Sequence, residues 1–171
     1  MRVAVTGTPG TGKTTATERV ETDLDVLHLN DVIREEGLIS GEDEARGSAI
    51  ADLDAVEEYL AGREDVLFES HLAHRFPADR VVVLRCAPEK IERRLRERGE
   101  SAESARENAE SEALDVVLSE AVDRHGTDSV YEVDATDLSP DEVAAAIESV
   151  VAGERDPAAG TVSFIDYLDH E

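Results

Sequence analysis

Residues Gly7-Thr8-Pro9-Gly10-Thr11-Gly12-Lys13-Thr14 match the pattern G-x-x-x-x-G-K-[ST] in full, and no other stretch of the chain restricts its fold as tightly. The octapeptide follows an apolar run, Val3 to Thr6, and opens a segment of helical character at Lys13. A strand that ends in a glycine-rich turn and continues as a helix lets backbone N–H groups converge on an anion. The glycines remove the Cβ atoms that would stand in the way. Lys13 then reaches the β and γ phosphates of a nucleotide, and the Thr14 hydroxyl ligates magnesium. The choice of lysine is informative, because the chain carries two lysines, Lys13 and Lys90, against fifteen arginines. A compact ammonium is the group that a γ-phosphate position calls for.

Short β-rich runs, Val3 to Thr6, Val26 to Leu29, Val66 to Phe68, Val81 to Cys86 and Val130 to Val133, alternate with segments of helical character. That alternation predicts a three-layer α/β fold around a parallel sheet. The expected helices run over Lys13 to Glu21, Asp31 to Glu36, Ser48 to Leu60, Pro88 to Arg98, Ala102 to Arg124 and Pro140 to Ala152. Ser139-Pro140-Asp141-Glu142 gives the last of them a cap, a first-turn proline and acids that face the helix dipole. With 171 residues and 40% apolar composition, one domain with a sizeable core is expected. We place that domain at residues 1–153, followed by an acidic segment, 154–171, that is loosely attached unless Phe164, Ile165, Tyr167 and Leu168 dock on the core or a partner.

Acidic residues number 41 against 17 basic ones, a formal net charge of −24, which argues against direct high-affinity binding of nucleic acid. The excess is spread along the whole chain with almost no lysine, a pattern that resembles proteins from salt-loving cytoplasms. A single cysteine, Cys86, excludes an internal disulfide and a cysteine-rich zinc site, so it is read as a small core residue in a reducing compartment. No apolar run approaches 18 residues and no signal-peptide core precedes Val3, so a soluble, cytoplasmic protein with no membrane partner is expected.

In a parallel sheet the carboxyl end of a strand neighbouring the phosphate loop lies beside it. Val66-Leu67-Phe68 ends in Glu69-Ser70-His71, so Glu69 is a candidate for holding magnesium through water, and His71 for orienting or deprotonating a water or hydroxyl. His28, His74, His125 and His170 lack such company and are read as structural or surface groups. Lys90, Arg93, Arg94, Arg96 and Arg98 crowd one short helix, with Arg94 and Arg98 on one face. Two readings stand: a helix neutralised by Glu92 and Glu97, or a clamp on transferring phosphates. Arg34, after the second run, lies where a second substrate could be held.

Taken together, these residues resemble the compact adenylate kinase family of archaea and eukaryotic nuclei, whose members are also described as ATPases of small-subunit ribosome maturation. The resemblance spans about Val3 to His125 and rests on the phosphate loop through Thr15, Asn30-Asp31-Val32-Ile33-Arg34-Glu35-Glu36, Glu69-Ser70-His71 with Phe76-Pro77, Val83-Leu84-Arg85, Arg94-Leu95 with Arg98-Gly99, and Glu107-Asn108 with Glu112-Ala113. It implies a P-loop NTPase fold with a five-stranded sheet, a monophosphate-binding region over 28–51 and a short lid over 98–109. It implies that Gly10, Gly12, Lys13, Thr14, Thr15 and Arg98 contact ATP, that Arg34 contacts AMP, and that a small-subunit ribosomal protein is a partner. This chain departs from the family in having Glu69 where an aspartate is usual, and Glu100 where an aromatic follows the lid Arg-Gly.

Overall fold

Alternate residues of each short apolar run go to opposite faces of one sheet, and this alternation builds the core. A computed structural model describes residues 1–43 and 48–170. Along the chain, β1 (Arg2–Thr6) leads into α1 (Lys13–Thr17), β2 (Asp25–His28) and α2 (Leu29–Glu35). A hairpin of β3 (Ile39–Asp43) and β4 (Ser48–Ala51) precedes α3 (Leu53–Leu60) and β5 (Val66–Glu69). Then come β6 (Arg80–Arg85), α4 (Pro88–Glu97), α5 (Ala102–Ala113), α6 (Val116–His125), β7 (Val130–Asp134) and α7 (Pro140–Val151).

Five strands pair in the order β2-β5-β1-β6-β7, all parallel, which gives the expected fold class. Val3, Val5, Leu67, Val82 and Leu84 face a cluster with Ala16 of α1 and Val143 and Ile147 of α7. Ala4, Phe68, Val81 and Val83 face the other way, against Val56 and Leu60 of α3 and Leu118 and Ala121 of α6. The chain leaves β1 toward β5 and β2 on one side and later toward β6 and β7 on the other. The carboxyl end of β1 is therefore the point where the winding direction reverses, and ligands of open parallel sheets bind at such points.

Three expected helices need correction. Ser48 to Leu60 is not one helix: Ser48–Ala51 pairs antiparallel with Ile39–Asp43, and α3 begins at Leu53 after Asp52, whose side chain accepts from the Ala55 N–H at 3.1 Å. Ala102 to Arg124 is interrupted at Asp115, which adopts a left-handed φ of 56°. Helix α1 stops at Thr17, four residues short of expectation, and the chain continues through i→i+3 bonds from Arg19 and Val20. The capping box of α7 is as read, with Ser139 and Glu142 bonding each other's backbone N–H.

After α7 the chain returns along the sheet edge. Ala158 bridges to Tyr131, and Thr161 donates from its backbone N–H and hydroxyl to Glu132 at 2.9 and 3.0 Å. The Phe164 ring lies 5.5 Å from the Arg85 guanidinium, and the Tyr167 hydroxyl donates to Glu92 at 3.0 Å. Docking on the core is thus the arrangement found for this segment. Cys86 is buried with Ile91, Leu95 and Ala105, a core position as expected. No helix among the described residues is long and apolar enough to cross a membrane.

Candidate active site

The phosphate loop closes on itself around one carbonyl oxygen. Thr11 donates to the Thr8 carbonyl from its backbone N–H at 3.2 Å and from its hydroxyl at 2.9 Å, and Lys13 Nζ donates to it at 3.2 Å. The Thr8 hydroxyl in turn donates to Glu112 at 3.0 Å. A Cβ on Gly7 would lie 2.8 Å from the Leu84 carbonyl oxygen, so the loop passes too close to β6 for any other residue. Gly12 precedes α1 with φ of 92°, a conformation that again favours glycine.

Lys13 is 8% exposed, and its ammonium is bonded to a neutral oxygen. Burial lowers its pKa to about 8; Glu69 and Glu112 oppose the shift and Arg98 adds to it. A desolvated cation without a direct carboxylate partner is what an incoming polyphosphate satisfies.

Register brings the neighbouring strands to the same point. Val5 of β1 and His28 of β2 both pair with Glu69 of β5. Glu69 is 3% exposed, and its Oε1 accepts from the Thr14 hydroxyl at 3.0 Å and from His28 Nδ1 at 2.8 Å. Its Oε2 is buried and has no hydrogen-bond partner among the described residues. A hydroxyl beside a carboxylate with one oxygen free fits magnesium, which takes few protein oxygens and keeps waters and substrate phosphates as its other ligands. Thr14 and Glu69 are the residues that would hold the ion. The reading of His28 as a structural or surface group is corrected: it stands in the site, because the carboxyl end of β2 reaches the same level as that of β5.

Two cavities flank the loop. The larger, about 660 Å³, is lined by Thr14, Arg34, His71 and Arg75, with Ile39 and Ile50 of the hairpin opposite. The smaller, about 180 Å³, lies between α1, α4 and α7 and is lined by Gly12, Thr15, Arg94 and Arg98. Arg94 donates to the Gly10 carbonyl at 3.0 Å, so the basic helix reaches the loop itself. Burial, with Lys13, His74 and Arg75 adding to it, lowers the His71 pKa to about 4. Its imidazole is therefore neutral at physiological pH and offers a ring lone pair as a hydrogen-bond acceptor. His74 is a core group, 1% exposed between Thr6 and Glu120. Arg34 is paired with Asp31 at the rim of the larger cavity.

A family model described as an AAA domain matches residues 3–115. A Natronomonas pharaonis protein named "Putative adenylate kinase" is 68% identical over 98% of this chain and 100% of its own length. Proteins of the same name from Halobacterium salinarum and Methanosarcina barkeri are 64% and 42% identical over 98% and 88% of this chain, and over 100% and 86% of theirs. The chain belongs to this family of archaeal adenylate kinase homologues. Its relatives include proteins of halophiles, in keeping with the acidic, lysine-poor composition.

Among solved structures, a deoxyadenosine kinase from M. mycoides with bound dATP aligns with a TM-score of 0.54 at 14% identity, covering 89% of this chain and 100% of that one. A sulfotransferase from Alicyclobacillus acidocaldarius aligns with the same score at 12% identity, covering 99% and 95%. These likenesses speak for the fold. Within the adenylate kinase homologue, sequence reasoning left His28 and Arg75 outside the site and gave Glu112, quoted for the resemblance, no role in it. Arg75 follows a turn that nothing local marks, and Glu112 meets the loop from over a hundred residues away. His28 alone carried a usable signal, its place at a strand's carboxyl end.

Proposed function

We propose that this chain transfers the γ-phosphate of ATP to a nucleoside monophosphate, AMP foremost, and hydrolyses ATP when no acceptor is bound. The observation that carries the reading is the pair of cavities beside the phosphate loop, each lined by arginines. A hydrolase needs one nucleotide cavity; a kinase needs a second one for the acceptor.

In this reading ATP lies with its base side in the smaller cavity, contacted by Gly10, Gly12, Thr15 and Arg98, and its phosphates along the loop. The acceptor lies in the larger cavity, within a monophosphate-binding region over 28–51, its phosphate held by Arg34 with Arg75 nearby. Lys13 and Arg94 neutralise charge that develops on the transferred group, and catalysis is positioning plus charge compensation. Magnesium, held with the nucleotide near Thr14 and Glu69, supplies further charge neutralisation. His71, neutral at the cavity wall, orients a water when the acceptor is absent. A lid over 98–109 that is short excludes water incompletely, which supports hydrolysis beside transfer.

The test is a panel of acceptors in molar potassium chloride: each nucleoside monophosphate in turn, and water alone, with Mg-ATP. Transfer to AMP above the hydrolysis rate is expected. Hydrolysis with no monophosphate accepted would overturn the kinase reading. The surface of this chain, at −24 overall, favours a second role beside it: ATP-dependent binding of a basic small-subunit ribosomal protein during ribosome maturation. That role fails if no such protein is retained from lysate at native salt with or without ATP.

A further inference from the structure

We infer that His28 is a positioning residue that fixes the Glu69 carboxylate beside Thr14, where the two residues that would hold magnesium meet. The inference rests on the phosphotransfer reading of the site, and its test separates the two.

Glutamate has one more rotatable bond than aspartate, so a glutamate beside a metal site must be held or its carboxylate wanders. Here the hold is double. The Thr14 hydroxyl, on α1, and His28 Nδ1, at the end of β2, both reach Oε1, at 3.0 and 2.8 Å. One donor would leave the carboxylate free to turn about the contact; a second from another direction fixes its plane. An ionised carboxylate only accepts, so Nδ1 carries the proton in this pair. Thr14 spends its single O–H on Glu69, which leaves the hydroxyl lone pairs for a cation.

What remains is Glu69 Oε2, buried and unpartnered among the described residues. A buried carboxylate oxygen calls for a hydrogen-bond donor, and a metal-bound water would be one. The backbone makes the arrangement rigid, since His28 and Glu69 are register partners on adjacent parallel strands. His28 is also the residue immediately before α2, so the contact ties the metal side of the site to the helix that carries Arg34. Partners that orient a metal ligand from behind affect affinity for the metal by 10–100-fold.

The experiment measures the affinity of the intact protein for ADP twice, once with EDTA and once with Mn²⁺, and takes the ratio as the metal-dependent gain. His28→Ala should lower that gain by roughly tenfold and leave metal-free ADP binding unchanged. His28→Asn, which keeps an N–H donor near the Nδ1 position, should retain most of it. In a Glu69→Ala background, where the carboxylate is gone, the further change His28→Ala should have no effect. The inference is overturned if His28→Ala leaves the gain intact, if it weakens metal-free binding equally, or if His28→Asn behaves as His28→Ala does. Because none of these readouts needs an acceptor, a failed kinase assay with an intact Mn²⁺ gain would remove the kinase reading and not this one.

Discussion

Among the described residues two cationic side chains are buried, Lys13 at the phosphate loop and Arg85 at the end of β6, and their surroundings are opposite. Arg85 is 0% exposed and saturated: Glu112, Glu132 and Asp115 accept from it at 3.2, 2.6 and 2.5 Å, and Phe164 covers its face. Burial works against its charge, but the three carboxylates outweigh burial and hold its pKa above the ordinary arginine value. Lys13 has a carbonyl oxygen and no direct carboxylate, and its pKa falls to about 8. The difference separates a structural charge from a functional one: the first is completed by the fold, the second by a ligand. Glu112 joins the two, accepting from Arg85 at one oxygen and from Thr8 of the phosphate loop at the other.

The comparison can be broken by exchanging signatures. Lys13→Met should lower turnover by roughly 10³-fold, the scale of removing one preorganised charge-stabilising group. Its thermal stability without ligand should stay the same or rise, because a desolvated ammonium has gone; a clear loss of stability would place Lys13 with Arg85. Arg85→Met should do the reverse. Stripping the partner from buried Glu112 and Glu132 should cost about 3–5 kcal/mol, seen in denaturant titration. If Arg85→Met folds with unchanged stability, the saturated network is ornamental.

A smaller effect is expected at low pH. The His71 pKa is lowered to about 4 in the folded protein against 6.5 when unfolded. As pH falls through that window the unfolded chain takes up a proton that the native site refuses, so stability declines. Replacing His71 by Asn should flatten that part of the stability–pH profile, and an unaltered slope would mean that the imidazole is not buried as described.

How legible all this was depends on distance along the chain. The phosphate loop, the sheet and the α7 cap are local patterns, and each was readable because its meaning lies within a few residues. The break at Asp115 was not, since its left-handed conformation accompanies a contact to Arg85 thirty residues earlier. The antiparallel pairing of Ile39–Asp43 with Ser48–Ala51 was lost for a related reason. Ser48-Ala49-Ile50-Ala51 has no strong preference of its own, and pairing with β3 decides it. In the site, Lys13, Thr14, Glu69, His71, Arg94 and Arg98 could be named from motif and spacing. Glu112 was named only for the resemblance, and its contact with the loop was not legible, because a carboxylate on a helix surface and one buried against the loop look alike in sequence. His28 was discounted for want of neighbours that only the register supplies.

The most direct test of the difference between the two cations is the number of protons exchanged when ATP binds at pH 9, from calorimetry in two buffers of different ionisation enthalpy. With a pKa of about 8 in the free protein, Lys13 is mostly neutral at that pH, and a bound polyphosphate returns it to the ammonium form. Uptake of about one proton is therefore expected in the unaltered protein and none in Lys13→Met. Binding without proton uptake in the unaltered protein would contradict the account, because it would mean that Lys13 is already fully ionised and paired before the nucleotide arrives.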